Sequence, residues 1–271
     1  MQHFHHSFAI ALFFVTTAQP QTTQIREDFN KFFEDAGVPG SFSLYDLKNG
    51  SYILTNPDQF KQPFTPASTF KICNSLIGLE TGVIEDENFV IKWDGVERSI
   101  KTWNADQDLK TAYKNSTVPY YQELARRVGP ERMYRLLSKA GYGNADTSGG
   151  LDRFWLDGGL RVTPEEQIDF LRRLYNNELP FSRHSIEIVK RIMIEEEHPE
   201  YTFRTKTGWG KQEGENVGWY VGYVTTKSNV YFFATCIQSP RPDEAFARNR
   251  KSITRTILNN LQAIPLPVGK K

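Results

Sequence analysis

Apolar residues recur along the chain with two different spacings, and each spacing predicts a different kind of element. Near the start, Ile25, Phe29 and Phe33 lie four positions apart, which places their side chains on one face of a helix. We therefore expect a helix over residues 25–36. It should end at Gly37, because glycine readily adopts the left-handed conformation found at helix C-termini.

Strands are predicted on both sides of a long helical stretch. Asn49-Gly50, between two apolar segments, favours a hairpin, because both positions of a tight two-residue turn need positive φ. Segments rich in aromatic and β-branched residues are typical of strands. The predicted strands cover residues 41–47, 51–54, 201–207, 218–224 and 230–237, and the last two should pair as a second hairpin.

The intervening stretch has helical spacing and few strand signals. Proline opens and glycine closes several of its segments, as is common at helix N-termini and C-termini. Helices are predicted over residues 67–80, 120–128, 130–139, 164–175 and 185–194, with a closing helix over 243–261.

This order of elements predicts an α/β sandwich, in which one antiparallel sheet is built from both ends of the chain and flanked by the terminal helices. An all-helical lobe is inserted between the two halves of the sheet. We assign residues 19–62 and 183–271 to the sheet lobe and 63–182 to the helical lobe, with the active site where they meet. Neither an internal repeat nor a long linker separates the lobes, so they should form one cooperative unit.

The first 18 residues differ in pattern from the rest. Residues 8–15 are uninterrupted apolar and precede Thr16, Thr17 and Ala18, small residues of the kind that signal peptidase accepts. The run is too short for a membrane-spanning helix. We predict a signal peptide over residues 1–18, and hence a periplasmic or secreted protein without a membrane anchor after processing. A buried N-terminal segment is the alternative, since no Lys or Arg precedes the run.

Composition excludes several classes of protein. The 271 residues are 39% hydrophobic and 24% charged, which is ordinary for a globular chain with a sizeable core. A formal net charge of +1 provides no field that would attract nucleic acid or a membrane surface. A small-molecule substrate is expected instead, and the sequence leaves a homodimer open.

Metal-binding residues are sparse. After the predicted signal peptide only His184 and His198 remain, and Cys73 and Cys236 are far apart. Without closely spaced ligands, no metal site is expected. Both cysteines lie in apolar segments, so either a disulfide or two buried free thiols would fit.

Candidate chemistry begins with a serine and a lysine in the first turn of a predicted helix that Pro66 opens. Ser68 and Lys71 are three positions apart and therefore share one helix face. The N–H groups and the dipole of a helix N-terminus favour a developing alkoxide and an adjacent oxyanion. Taken alone the motif is weak, because a capping serine beside a solvated lysine is the common alternative.

A second motif, Lys206-Thr207-Gly208, falls on a predicted strand and precedes Trp209. Lysine and threonine side chains can bind a substrate carboxylate, and Gly208 lets an acyl group approach the backbone. The two motifs together predict nucleophilic catalysis by serine. Lys71 must then lose its proton, which requires a shift of more than about three pKa units, or roughly 4 to 5 kcal/mol, from burial among apolar groups.

With these motifs the chain resembles the class D, or oxacillinase-type, serine β-lactamases over essentially its whole mature length. Val118 stands where a class A enzyme would have asparagine. The resemblance is carried by Ser68-Thr69-Phe70-Lys71, Ser116-Thr117-Val118, Tyr142-Gly143-Asn144, Phe154-Trp155-Leu156, Lys206-Thr207-Gly208, and longer stretches at residues 78–84, 92–95 and 230–234.

The resemblance implies a role for each matching residue. Ser68 would be acylated, and Lys71 would carry a CO2-derived carbamate as the base, with no separate cofactor. The indole of Trp155 would hold that carbamate and Val118 would screen it from water. Ser116 would pass a proton to the leaving nitrogen.

The remaining implied roles concern substrate binding. The N–H groups of Ser68 and Trp209 would form the oxyanion hole. The substrate carboxylate would bind Lys206, Thr207 and Arg250; residues 238–247 depart from the family pattern, and Arg248 lies near Arg250. Trp103, Leu156 and Trp209 would line the pocket, and Tyr142-Gly143-Asn144 is interpreted as a structural turn.

The implied activity is hydrolysis of the β-lactam amide of penicillins, with oxacillin-type compounds the expected substrates, giving antibiotic resistance. A β-lactam sensor that is acylated without turnover is the alternative. The range of substrates depends on loop shapes that the sequence does not define.

Overall fold

One seven-stranded sheet organises the computed structural model, which describes residues 22–264, in the order β1-β3-β2-β7-β6-β5-β4. Both ends of the chain contribute strands, as predicted. The sheet is not purely antiparallel, however, because the edge strand β1 pairs with β3 in parallel. The strands are β1 (Thr22–Ile25), β2 (Gly40–Asp46), β3 (Ser51–Leu54), β4 (Ile194–His198), β5 (Tyr201–Gln212), β6 (Glu215–Thr226) and β7 (Val230–Ser239).

Eight α-helices accompany the sheet within the described residues, together with short 3₁₀ turns. None of these helices is long and apolar enough to cross a membrane. The helices are α1 (Asn30–Asp35), α2 (Lys71–Glu80), α3 (Leu109–Lys114), α4 (Val118–Val128), α5 (Pro130–Ala140), α6 (Pro164–Asn176), α7 (Arg183–Ile192) and α8 (Phe246–Asn260).

The N-terminal helix is shorter than predicted. Ile25 belongs to β1, where it pairs with Leu54 and is 42% exposed. A 3₁₀ turn over Glu27–Phe29 then leads into α1, and Phe29 and Phe33 are buried. The prediction of a helix from residue 25 was therefore wrong. Ile25, the first apolar residue of the helical pattern, pairs instead with the edge of the sheet. The predicted signal peptide lies outside the described residues.

The first predicted hairpin forms with a longer turn than expected. Asp46 pairs with Ser51, so four residues connect β2 and β3. Only Gly50 has positive φ, at 62°. The Asp46 carboxylate accepts hydrogen bonds from the backbone N–H of Asn49 at 3.0 Å and from its side-chain amide at 2.8 Å, which closes the turn without a second positive φ.

The two faces of the sheet contribute to different apolar cores. Consecutive side chains of a strand point to opposite faces, and on β7 Phe233 packs with α1 and α8. Its neighbour Phe232 belongs to the larger core, which continues into the helical lobe. On that side Tyr175 of α6 packs on Phe232 with ring centroids 5.7 Å apart. The terminal helices therefore flank one face and the inserted helices cover the other.

The two cysteines are free and buried. Cys73 lies on α2 and Cys236 on β7, both in the larger core. The alternative of two buried thiols is the one that the structure has, and burial raises the pKa of each thiol well above its ordinary value.

Candidate active site

Ser68 lies in a 3₁₀ turn over Ala67–Phe70, immediately before α2 begins at Lys71. The predicted helix over residues 67–80 therefore lies in the expected position, but its first four residues form a 3₁₀ turn instead of an α-helix. The Thr69 hydroxyl donates to the carbonyl of Pro66 at 2.8 Å and accepts from the amide of Gln167 on α6 at 2.8 Å. These bonds fix the turn from both sides and so position the serine.

Lys71 is fully buried, and its Nζ lies 2.8 Å from the Ser68 Oγ. Burial lowers the pKa of Lys71 well below its ordinary value, and the positive charge of Lys206 lowers it further. Burial therefore favours the uncharged amine, the form that can accept a proton from the serine hydroxyl. The direction of this pKa shift is the one that the sequence argument required.

Aromatic side chains close the space around Lys71. Its Nζ is 5.1 Å from the centre of the Tyr121 ring. Trp155 is completely buried, and its indole Nε1 has no hydrogen-bond acceptor among the described residues. Val118 begins α4 one turn before Tyr121 and therefore lies on the same helix face. The Trp155 ring packs on Phe70, the residue before Lys71, with centroids 5.3 Å apart, so an indole donor without an acceptor among residues 22–264 lies in the same apolar core as the buried amine.

Ser116 and Lys206 form a second serine–lysine pair. The Lys206 Nζ donates to the Ser116 Oγ at 3.1 Å and lies 5.4 Å from the centre of the Tyr113 ring. Ser116 connects α3 to α4 with φ of 54°, a strained conformation of a kind that functional sites often hold. Burial, assisted by the charges of Arg250 and Lys251, lowers the pKa of Lys206 to about 7, so this lysine can exchange protons near neutral pH.

Strand β5 runs along the turn that holds Ser68. A side chain at Gly208 would place its Cβ 2.9 Å from the carbonyl oxygen of Pro66, and one at Gly210 would lie 3.1 Å from the Ala67 Cβ. Only glycine allows this approach. It brings the backbone of Trp209 beside Ser68, while the Trp209 indole bonds to Asn216 at 3.0 Å and remains 44% exposed.

Arg250 reaches β5 from α8. It is nine-tenths buried, and its guanidinium donates to the carbonyl of Gly208. Burial lowers the pKa of Arg250 to about 10, so it stays charged near neutral pH. Arg248 is exposed. The structure therefore places Arg250, and not its neighbour, behind the Lys206-Thr207-Gly208 segment.

Two other residues of the expected pocket contact segments next to Ser116 and Pro66. Trp103 donates from its indole to the carbonyl of Asn115 at 3.1 Å, beside Ser116. The carbonyl of Leu156 accepts from the Thr65 hydroxyl at 3.3 Å. Both Trp103 and Leu156 are half-buried. The structure thus joins Ser68 to Lys71, Ser116 to Lys206 and Arg250 to Gly208, and the last two contacts link distant parts of the chain.

Tyr142-Gly143-Asn144 is a structural turn, as interpreted. The Tyr142 ring packs on Phe70 with centroids 5.6 Å apart. Gly143 has φ of 53°, and a Cβ there would be 2.0 Å from the carbonyl oxygen of Arg161. The Asn144 amide bonds to the backbone of Gly159 and Arg161 at 3.0 and 2.9 Å. The turn supports the nucleophile helix from behind.

Sequence reasoning missed the two tyrosines that face the lysines, Tyr113 and Tyr121, and the amide of Gln167. Each tyrosine lies three positions from a residue of the Ser116-Thr117-Val118 motif. That spacing places both near the site once the helices are assigned, but it does not identify the lysine that each one contacts. Within residues 22–264 no group of three or more His, Cys, Asp or Glu could hold a metal ion.

A buried lysine bonded to a serine at the start of a helix, with a second serine–lysine pair and a glycine-bearing strand opposite, defines a serine acyl-transfer site. Comparison with known proteins agrees. The model of the penicillin binding protein transpeptidase domain matches residues 40–259. The chain belongs to the class D β-lactamase family of serine hydrolases.

The relatives resemble the chain over nearly their whole length. β-Lactamase OXA-48 from Klebsiella pneumoniae is 42% identical over 95% of this chain and 97% of that protein. The class D β-lactamase YbXI from Nostoc has a TM-score of 0.84 and 44% identity, covering 88% of this chain and 99% of that one. The C-terminal domain of the Bacillus licheniformis BlaR penicillin-receptor has a TM-score of 0.85 and 32% identity, covering 92% and 100%.

Proposed function

We propose that this protein hydrolyses the amide bond of β-lactams through an acyl-enzyme on Ser68 and so confers resistance to penicillins, including the oxacillin type. The observation that carries the proposal is the 2.8 Å contact between the Ser68 hydroxyl and the fully buried Lys71 amine. Family membership supplies the substrate class. An exported, periplasmic or secreted location belongs to the same proposal.

We further infer that Lys71 carries a carbamate formed with CO2. The surroundings fit that group, because burial favours the neutral amine that reacts with CO2 and the buried Trp155 Nε1 has no acceptor among residues 22–264. When bound, the carbamate supplies an anionic base at the end of the lysine. Trp155 would donate a hydrogen bond to it, and Val118 would help to exclude water.

In acylation, the Ser68 oxygen attacks the lactam carbonyl while its proton leaves toward the Lys71 side chain. The N–H groups of Ser68 and Trp209 stabilise the oxyanion. As the carbon–nitrogen bond breaks, Ser116 donates its proton to the leaving nitrogen and recovers one from Lys206, which lies at 3.1 Å. The proton held by the Lys71 side chain then passes to solvent, and Lys206 is reprotonated from solvent. Water adds to the Ser68 ester as it gives a proton to the Lys71 side chain; the ester carbon–oxygen bond breaks, and the serine oxygen takes that proton as the acid product leaves.

Substrate orientation depends on the β-lactam carboxylate. Lys206 and Thr207 present a cation and a hydroxyl on β5, and the buried Arg250 adds a second positive charge behind them. Charge-assisted hydrogen bonds of this kind are about twice as strong as neutral ones. We propose that they fix the ring so that its carbonyl faces Ser68, between walls that include Trp103 and Leu156.

The carbamate is tested by penicillin hydrolysis in CO2-depleted buffer with and without added bicarbonate. We expect bicarbonate to restore lost activity in the wild type, and Lys71→Ala to be inactive in both conditions. Trp155→Phe should need more bicarbonate for half-maximal activity. Trp93→Phe is the control, because that exposed indole already donates to the carbonyl of Val96 at 3.0 Å. A rate indifferent to bicarbonate and to Lys71→Ala would refute the mechanism.

The sensor alternative is decided by the lifetime of the acyl-enzyme. Likeness to a penicillin-receptor domain means that acylation alone does not distinguish the two functions. Intact-protein mass spectrometry after mixing with benzylpenicillin should show an adduct on Ser68 that is lost within the turnover time. An adduct that persists for hours would identify a sensor, and Ser68→Ala should form none.

A further inference from the structure

A cleft of about 610 Å³ adjoins Lys206 and Thr207, the residues proposed to bind the substrate carboxylate. Lys206 and Thr207 form its inner end, and Ser68 is not among its lining residues. Helix α3 forms one wall, the junction of α7 with β4 forms another, and α8 contributes Lys251. The proposed reaction uses only the inner end of this space.

Two ion pairs line the cleft, and in each pair one positive charge is neutralised by one carboxylate. Arg191 contacts the carboxylate of Glu87 at 2.8 Å, and Lys251 contacts Glu195 at 2.8 Å. The second pair is held further by Tyr220, whose hydroxyl donates to Glu195 at 3.0 Å. These pairs shape the walls but leave little net charge for a ligand.

Lys110 and Lys114 are not balanced in this way. Both are exposed on α3 and line the cleft one helical turn apart. No carboxylate of residues 22–264 lies within salt-bridge distance of either one. Like charges at this spacing destabilise a helix, and such local costs concentrate at functional sites. Among residues 22–264, Glu197 is the one carboxylate lining the cleft that has no ion pair, so Lys110 and Lys114 leave an excess of positive charge beside Lys206.

We propose that this cleft is a subsite for a second anionic group, carried by the β-lactam on the ring atom next to its carboxylate-bearing carbon. The inference rests on the proposed function, because Lys206 and Thr207 must hold the ring carboxylate for that substituent to point into the cleft. Cephalosporins carry an extended substituent at this position, C3, whereas penicillins carry only methyl groups there. The subsite therefore distinguishes cephalosporins by the charge of the C3 arm.

Three cephalosporins that share one acyl side chain isolate the effect: ceftriaxone has an acidic C3 arm, cefotaxime a neutral one and cefepime a quaternary ammonium. The second-order rate constant for acylation of Ser68 is measured by mass spectrometry for each. In the Lys110→Gln/Lys114→Gln variant, we expect acylation by ceftriaxone to fall roughly tenfold at low ionic strength, that by cefepime to rise, and that by cefotaxime to change less than about twofold.

The matched control is Lys61→Gln/Lys139→Gln, which changes the net charge equally at two exposed lysines outside the cleft. It should leave all three rate constants unchanged. Equal effects of the two double variants, or equal effects on the three cephalosporins, would overturn the subsite. Because acylation is the readout, failure of deacylation would refute hydrolysis without affecting this result. Acylation by benzylpenicillin but by none of the cephalosporins would refute the subsite alone.

Discussion

Burial has different consequences for the two lysines of the site. Lys71 is completely buried and lies near the positive charge of Lys206, and both effects lower its pKa and disfavour its ordinary charged form. Lys206 is opposed by two nearby cations but is partly compensated by the charge of Glu195. Its pKa of about 7 leaves both protonation states populated at neutral pH. The first lysine is thus suited to accept a proton, and the second to exchange one.

Replacing Lys71 by methionine should stabilise the fold while abolishing activity. The folded-state pKa of Lys71 lies below the unfolded value, so the unfolded chain binds the extra proton and wild-type stability rises with pH up to about 10.5. Methionine fills similar space without that cost. We expect the free energy of unfolding at pH 7 to increase by about 2 kcal/mol.

Denaturant unfolding in CO2-depleted buffer measures this change. The gap between Lys71→Met and the wild type should close as pH rises toward about 10.5. Lys139→Met, at an exposed position, should change stability little at any pH. A destabilised Lys71→Met variant at pH 7 would contradict the interpretation of the buried amine.

Substrate binding should depend on the protonation of Lys206. The charge that attracts a β-lactam carboxylate is present below pH 7 and is lost as pH rises through about 7. We expect kcat/KM for benzylpenicillin to decline above that pH, by roughly tenfold. Saturating bicarbonate, which under the proposed mechanism keeps Lys71 carbamylated, prevents the titration of Lys71 from contributing to the pH profile. Lys206→Arg should flatten the decline, because arginine stays charged, and an unchanged profile in that variant would contradict the assignment.

At the scale of elements, close backbone approach decides where the nucleophile lies. The 3₁₀ turn that holds Ser68 does not form a site by itself. It becomes part of a site because β5 has glycine where it passes the turn, and because the Tyr142-Gly143-Asn144 turn supports the opposite side. At Gly208 the neighbouring atom is the backbone carbonyl oxygen of Pro66, which cannot move aside without displacing the turn.

A pair of glycine substitutions separates close approach from backbone strain. Gly143 and Gly82 have φ of 53° and 67°, but only Gly143 would place a Cβ against backbone, 2.0 Å from the carbonyl oxygen of Arg161. Gly82→Ala should cost about 1 kcal/mol of stability through φ alone. Gly143→Ala should cost about 3 kcal/mol or more, since overpacking adds to the strain.

Thermal and denaturant unfolding of both variants provide the comparison. Gly143→Ala should also slow acylation of Ser68, because the turn supports Phe70 and Thr69, whereas Gly82→Ala should leave acylation unchanged. Equal losses of stability in the two variants would mean that the turn does not depend on close approach.

At the scale of the whole molecule, one apolar core joins the two proposed lobes. The larger core includes Phe232 of the sheet and Leu137 of α5 in the same cluster. Helix α6 packs on the sheet, and α7 packs on α2. Residues 63–182 are therefore a lobe in sequence, but they share their core with the sheet that surrounds them in the chain.

We expect the protein to unfold in a single transition. The shared core means that neither lobe can lose its packing without exposing apolar surface of the other. Far-ultraviolet circular dichroism and tryptophan fluorescence should give coincident denaturant curves. Two separate transitions, or a stable fragment of residues 63–182 after limited proteolysis, would show that the lobes fold independently.

The sequence by itself determined the types of most elements, the sheet built from both ends of the chain, and the two motifs that carry Ser68 and Lys206. These follow from local periodicity, turn chemistry and residue type, which act over a few positions. It did not predict α3 or β4, which are short and lack a clear periodic pattern. Nor did it predict the end of β5 at Gln212, where pairing with β6 continues through polar residues.

Only the tertiary structure decided that Lys71 is buried, that Lys206 donates a hydrogen bond to Ser116, and that Arg250 rather than Arg248 contacts β5. Each depends on groups brought together from distant positions: 90 residues separate Ser116 from Lys206, and 42 separate Gly208 from Arg250. A pKa is set by the burial and charges that surround a group. The sequence therefore identified the candidate reacting residues, whereas the tertiary packing set the burial and the charges around them.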